Sequence, residues 1–155
     1  MIAATPRHFA ALLAGSVLPD GLAPPSTPVA SSEVLQMLAN LACAIESDFA
    51  PAAWLVVCGD RVAGLCSLVK PPENRTVTIG YGIAPGDMRQ GHATRAVAAL
   101  LDWARADDRV DVMLAETAET NIASQKVLLA SHFVRSGSRT DDEDGALLCW
   151  RHDLD

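Results

Sequence analysis

The stretch "TVTIGYGIAPGDMRQGHATRAVAALLDWARA", residues 76–106, changes its period halfway along. In the first eight residues Val77, Ile79, Tyr81 and Ile83 alternate with Thr76, Thr78, Gly80 and Gly82, which predicts a strand with one bulky face and one nearly bare face. A bare face lets a ligand lie close to the main chain. From about His92 to Ala106 the spacing of Val97, Leu100, Leu101 and Ala104 is that of a helix. Between the two lies "MRQGHAT", residues 88–94. A strand that runs into a helix through glycine exposes N–H groups at the positive end of the helix dipole, a place where phosphate binds. Gly91 and Ala93 are small enough to admit a diphosphate, and Arg89, His92 and Arg95 make the local field positive. The plainer alternative is a turn whose glycine only relieves strain. Neither the Walker loop nor the Gly-x-Gly-x-x-Gly dinucleotide fingerprint occurs.

Upstream, two helices are expected, joined by "LPDGLAPPSTP", whose prolines exclude regular structure. Phe9, Leu12, Leu13 and Val17 fall at helical spacing in the first. In the second, Ser31 or Ser32 can cap, Glu33 suits the positive end, and Val34, Leu38, Leu41, Ile45 and Phe49 form an apolar stripe. "AWLVV" and "VAGLCSLV" then read as antiparallel strands around a Gly59-Asp60 hairpin turn. Downstream, "DVMLAE" is a buried strand, a helix runs from Asn121 to about Ser131, and two strands close the order around the acidic turn "DDEDG". The whole reads as one α/β domain over residues 1–155.

A chain of 155 residues can bury roughly two-thirds of its unfolded surface without metal or disulfide support. Its net charge of −7 disfavours nucleic acid as a partner, because such binding neutralises phosphates with Lys and Arg. Cys43, Cys58, Cys66 and Cys149 form no C-x-x-C pair, and His8, His92, His132 and His152 lack zinc-ligand spacing, so no metal is expected. The four thiols read as reduced core residues of a cytoplasmic protein. "RHFAALLAGSVLPDG" has the look of a signal core, but "LAPPS" is a poor cleavage site, and no apolar run is long enough for a membrane span. The exposed final strand offers an edge through which a homodimer could form.

The ordered pair "IGYGIAPGDMRQGHATRAVAALLDWA" and "AETAETNIASQKVLLASHFVRSG" resembles the GNAT superfamily of acyl-CoA-dependent N-acyltransferases, and within it the branch of ribosomal-protein N-terminal acetyltransferases. The pattern Gln/Arg-x-x-Gly-x-Gly/Ala falls on Met88 to Ala93, and Asn-x-x-Ser-x-Arg/Lys-Val-Leu falls on Asn121, Ser124, Lys126, Val127 and Leu128. The likeness is strong over residues 76–139, fair over 52–75 and absent before that. It implies a mixed, mostly antiparallel central sheet flanked by helices, and acetyl-CoA as cofactor. It also implies transfer to a primary amine, either a protein N-terminus or a small-molecule amine, by direct attack in a ternary complex.

By position, the amides of the segment Met88, Arg89, Gln90, Gly91, His92, Ala93 and Thr94 would bind the CoA diphosphate. Ile83 and Ala84 would hold the pantetheine arm through their main chain, and Asn121 through its side chain. Where many relatives have a tyrosine that protonates the leaving thiolate, this chain has Leu128, which leaves Ser124 as candidate acid, directly or through water. Thr78 stands where many relatives have a glutamate base. Glu116 is the substitute, with Glu119, Asp142 and Glu143 behind it. The two N-terminal helices and "KPPENR" would wall the acceptor pocket. The alternative is a non-catalytic acyl-CoA-binding or sensing module that keeps the loop and has lost acid and base.

Overall fold

The computed structural model describes residues 1–154. Its elements are β1 (Ile2–Ala3), α1 (Pro6–Ala14), α2 (Ser32–Glu46), β2 (Ala53–Cys58), β3 (Arg61–Leu68), β4 (Thr76–Ile83), a 3-10 helix (Pro85–Asp87), α3 (His92–Arg105), β5 (Val112–Ala118), α4 (Ile122–Ala130), β6 (Val134–Asp141) and β7 (Gly145–Asp153). The strands are hydrogen-bonded in the order β1-β2-β3-β4-β5-β7-β6. β4 and β5 are parallel, while β1–β2, β2–β3, β5–β7 and β6–β7 are antiparallel. This is the mixed, mostly antiparallel α/β sheet that the sequence implies. The residues group into two compact units, Met1–Pro71 with Tyr81–Ala93, and Pro72–Gly80 with the chain from Thr94 onward.

The first unit holds α1, α2, β1 to β3 and the segment that leaves β4. Thr5 and His8 form a capping box at the start of α1, where Pro6 costs no hydrogen bond, and Gly15 in the left-handed region at φ 62° ends the helix. Val17 therefore lies past α1 and is exposed, although its spacing matched the helix. Ser31 caps α2 by accepting a hydrogen bond from the Val34 N–H at 3.3 Å. The buried residues of α2 are Leu35, Ala42 and Ile45, and Phe49 is buried just beyond it. The stripe is thus turned by one position from the sequence reading, and Val34 faces solvent. β2 and β3 form the expected hairpin across Gly59, at φ 62°. A Cβ on Gly64 of β3 would overlap the Gly82 carbonyl oxygen and come within 2.7 Å of Ile83 Cδ1, so only glycine fits that approach of β3 to the end of β4.

In the second unit Thr76 to Ile79 pair in parallel with Val112 to Ala115, which requires a crossover of the kind α3 supplies. Val97, Leu100, Leu101 and Ala104, the residues picked out by helical spacing, are at most 4% exposed. They share the buried interior with Met113, Leu128, Phe133 and Trp150, whose indole N–H donates to Thr117 Oγ1 at 2.9 Å. β7 lies between β5 and β6, so the edge strand of this unit is β6, not the final strand. β6 is exposed along nearly its whole length.

Other differences are local. β1 was not anticipated, because two residues carry no period. Of the four cysteines only Cys66 is a core residue, where burial pushes its thiol up to about 12. Cys43 and Cys58 are exposed and Cys149 is half-buried. Among the described residues no helix is long and apolar enough to cross a membrane, and no cluster of His, Cys, Asp and Glu could hold a metal ion.

Candidate functional site

The first unit presents the candidate cofactor segment as one continuous run. β4 ends at Ile83, which is 9% exposed, followed by the fully buried Ala84. The Ala84 N–H donates to the Ala63 carbonyl at 2.8 Å, and the Ala84 carbonyl accepts from the Asp87 N–H at 2.8 Å. Ala84 therefore has only a second carbonyl lone pair left for a ligand. The Met88 N–H turns back to the Pro85 carbonyl at 3.5 Å. The next residues behave differently. Arg89 at φ 62° and Gly91 at φ 76° both adopt the left-handed conformation, both are exposed, and neither backbone N–H has an acceptor among the described residues. Gly91 directly precedes α3 and has no side chain that could cap it.

The side chains around this run are sorted by charge. Asp87, at 2% exposure, accepts from both terminal nitrogens of Arg61 at 2.6 and 2.7 Å. The Arg61 guanidinium holds the Asp87 carboxyl below the usual carboxylate range, opposed by burial and aided by the charges of Arg61 and of nearby His92. His92 itself is 6% exposed, so its ring is not part of a solvent-facing positive cluster, whereas Arg89 and Arg95 are exposed. The Gln90 side-chain amide reaches back to the Gly86 carbonyl at 3.5 Å. On the same unit an open groove of about 650 Å³ is lined by Leu13, Ser32, Glu33, Gln36, Met37 and Asn40.

The second unit carries the remaining candidates. Asn121 is the N-cap of α4, its Oδ1 accepting from the Ser124 N–H at 3.1 Å, so the donors of its side-chain amide remain for a ligand. Ser124 is half-buried one turn into that helix. Leu128, four residues on, is fully buried and belongs to the core.

Glu116 of β5 meets Arg139 of β6 in a bidentate pair, Nε to Oε1 and Nη2 to Oε2, each at 2.7 Å. The same guanidinium donates to Asp141 at 2.9 Å, and Cys149 Sγ lies 3.9 Å from Glu116 Oε1. Arg139 is pushed further up by Glu116 and then Asp141, while Asp141 is held low by Arg139 and by the N–H groups of Glu143 and Asp144. A carboxylate gripped in this way must surrender its cation before it can accept a proton, which weighs against Glu116 as a free base. Glu119, Asp142 and Glu143 are exposed. Thr78 is 5% exposed, and its hydroxyl has no hydrogen-bond partner among the described residues.

The pairs Arg61–Asp87 and Glu116–Arg139 escaped the sequence reading. Their members are 26 and 23 residues apart, and no periodicity links residues on different elements.

A family model described as an acetyltransferase (GNAT) domain matches residues 4–134. Over 85 residues the chain is 29% identical to the uncharacterized N-acetyltransferase YjdG of Bacillus subtilis (strain 168), covering 53% of this chain and 51% of that protein. The chain thus matches about half the length of that relative. Among solved structures it is similar to RimL, a ribosomal L7/L12 alpha-N-protein acetyltransferase in complex with coenzyme A. The TM-score is 0.75 at 20% identity, over 99% of this chain and 93% of that one. It is also similar to the spermidine/spermine N-acetyltransferase SpeG from Vibrio cholerae, with a TM-score of 0.65 at 16% identity over 77% and 76% of the two chains. At these identities the structural likeness is one of fold.

Proposed function

The chain belongs to the GNAT acetyltransferase family, and on that premise we propose that it is an acyl-CoA-dependent N-acetyltransferase that moves an acetyl group from acetyl-CoA to a primary amine. The observation that carries this is the glycine-led entry to α3, where the exposed backbone N–H groups of Arg89 and Gly91, both at positive φ, have no acceptor among the described residues. In this reading the amides from Arg89 to Thr94 hold the diphosphate. Ile83 and the Ala84 carbonyl align the pantetheine arm in the first unit, and the Asn121 side-chain amide is the second unit's candidate contact to CoA. When bound, acetyl-CoA supplies the activated thioester. Ser124 would relay the proton lost by the attacking amine to the leaving sulfur, directly or through a water molecule, so that its hydroxyl is restored.

The acceptor class follows from the state of the carboxylates. Amide formation needs a neutral amine. A lysine-like amine is neutral in roughly one molecule per few thousand at pH 7, whereas an α-amine is neutral in roughly a tenth or more. With Glu116 committed to Arg139 and a buried threonine, not a carboxylate, at position 78, an acceptor that needs little help from a base fits best. We therefore favour a protein or peptide α-amine, or a small amine of comparably low pKa, walled by α1 and α2. The test follows thiol release from acetyl-CoA with a panel of peptides and amines. Turnover on at least one α-amine is expected, and tight CoA binding with no turnover on any acceptor would sink the assignment.

The second reading is a non-catalytic acyl-CoA-binding module. It is favoured by Leu128 lying in the core where a thiolate-protonating tyrosine is common in the family, and by Glu116 lying in an ion pair. Such a module would bind CoA and show no change in acetyl-CoA consumption on substitution of Ser124.

A further inference from the structure

We propose that the Arg61–Asp87 ion pair, its carboxylate buried and its guanidinium partly exposed, positions the diphosphate-binding segment, fixing the chain just before the open amides and cancelling a negative charge beside them. This rests on the assignment of residues 88–94 to the CoA diphosphate.

The anchoring is visible on both sides of the pair. Arg61 is the first residue of β3 and pairs across the hairpin with Cys58. Its neighbours are tied down as well, the Val62 N–H to the Ala23 carbonyl at 3.0 Å and the Ala23 N–H to the Asp60 carbonyl at 2.8 Å. Asp87 ends a 3-10 helix held by the Ala84 N–H on Ala63, and by the Gly86 N–H on Thr27 Oγ1 at 3.2 Å. A Cβ on Gly86 would come within 2.9 Å of Ser26 Oγ, so this helix is seated against the 26–27 loop. Beyond Asp87 the chain passes through exposed residues with two left-handed conformations. Asp87 is therefore the hinge pin from which the loop springs.

Charge gives the pair its second role. A carboxylate 2% exposed and one residue from Met88 would oppose any anion bound to the following amides. Guanidinium bonds to both oxygens remove that opposition while leaving the geometry fixed. Apolar replacement of an ion pair held away from water is often neutral or stabilising, so the role assigned to this pair is position and charge balance and not stability.

The experiment compares two donors, acetyl-CoA and acetyl-pantetheine, which lacks the diphosphate, with an acceptor active for the wild type. The variants are Arg61→Met, Asp87→Asn, Arg61→Lys, and the double variant Arg61→Met with Asp87→Leu. For Arg61→Met and the double variant, KM for acetyl-CoA should rise about ten- to a hundredfold while kcat at saturation is largely kept. The preference for acetyl-CoA over acetyl-pantetheine should shrink by the same factor, and Arg61→Lys should restore part of it. A parallel fall in kcat with both donors, their KM ratio unchanged, would mean that the pair is only structural and overturns the proposal. If Arg61→Met or Asp87→Asn fails to fold, Arg61→Lys and the double variant, which leave no buried charge unpaired, carry the test. Calorimetry with CoA keeps the two claims apart. A wild type that does not bind CoA defeats the assignment of the loop, whereas a wild type that binds and variants that bind equally well defeat the ion-pair proposal alone.

Discussion

Arg139 holds both carboxylate oxygens of Glu116 at 2.7 Å, joining β6 to β5 over the intervening β7, where Cys149 stands opposite Glu116. Both side chains are partly exposed, so the pair adds little to stability, but it commits a carboxylate otherwise suited to proton transfer. With an α-amine acceptor, Glu116→Gln should therefore lower kcat/KM by less than about tenfold, against the hundredfold or more expected for a general base. Arg139→Gln, which releases the carboxylate, should raise the rate on lysine-like acceptors relative to α-amines. Steady-state kinetics on a matched peptide pair decide both points.

Ser124 is the group assigned to protonate the leaving thiolate. Ser124→Ala should reduce kcat by about two powers of ten while CoA affinity stays close to wild type, since the cap from Asn121 uses the Ser124 backbone and not its hydroxyl. Single-turnover kinetics beside a CoA titration separate the two quantities. An unchanged kcat would favour the binding-module reading.

Gly64→Ala tests the close approach of β3 to β4. The added methyl would strike the Gly82 carbonyl and Ile83, so the fold should lose roughly 1–3 kcal/mol, read from the shift of the urea midpoint. Because Ile83 is assigned to the pantetheine arm, KM for acetyl-CoA should rise as well. Gly59→Ala, where nothing lies within 4 Å, is a control for the cost of a left-handed alanine alone.

Asp87 gives the protein a defined acid sensitivity. Its folded-state pKa is depressed below the ordinary 3.8, chiefly by the hydrogen bonds from Arg61. The unfolded state thus takes up the proton first, and the stability from this group is present above the unfolded value and lost as pH falls through the folded one. The Tm difference between wild type and Asp87→Asn should be widest near neutral pH and narrow as pH drops below about 4. Melting curves across that range measure it, and a pH-independent gap would contradict it.

What the sequence disclosed follows from the range over which its signals act. The alternation at Val77 to Ile83 and the spacing at Val97 to Ala104 are local and repeat several times; the helix spacing named its buried face, whereas in the strand Thr78 is buried and Tyr81 only half-buried. The face of α2 was misjudged by one position because Val34, Leu35 and Leu38 are all apolar, and only packing decides which of them turns inward. The junction between β4 and α3 was legible because the period changes from strand to helix on either side of residues 88–91. The ion pairs were not, since Arg61 finds Asp87, and Glu116 finds Arg139, only after separate elements have been brought together. The cysteines misled because a thiol's apolarity is a tendency of its type, whereas the exposure of Cys43 and Cys58 is set by where α2 and β2 end up.

Among the described residues β7 is the sole strand neighbour of β6 and separates it from β5, although β6 comes first in the chain. During vectorial synthesis, therefore, residues 134–141 leave the ribosome with no docking place and stay unpaired until residues 145–153 have been translated. Closure of this half of the sheet is a late, concerted event in the life of the nascent polypeptide, and a chaperone would find its natural opening in that interval.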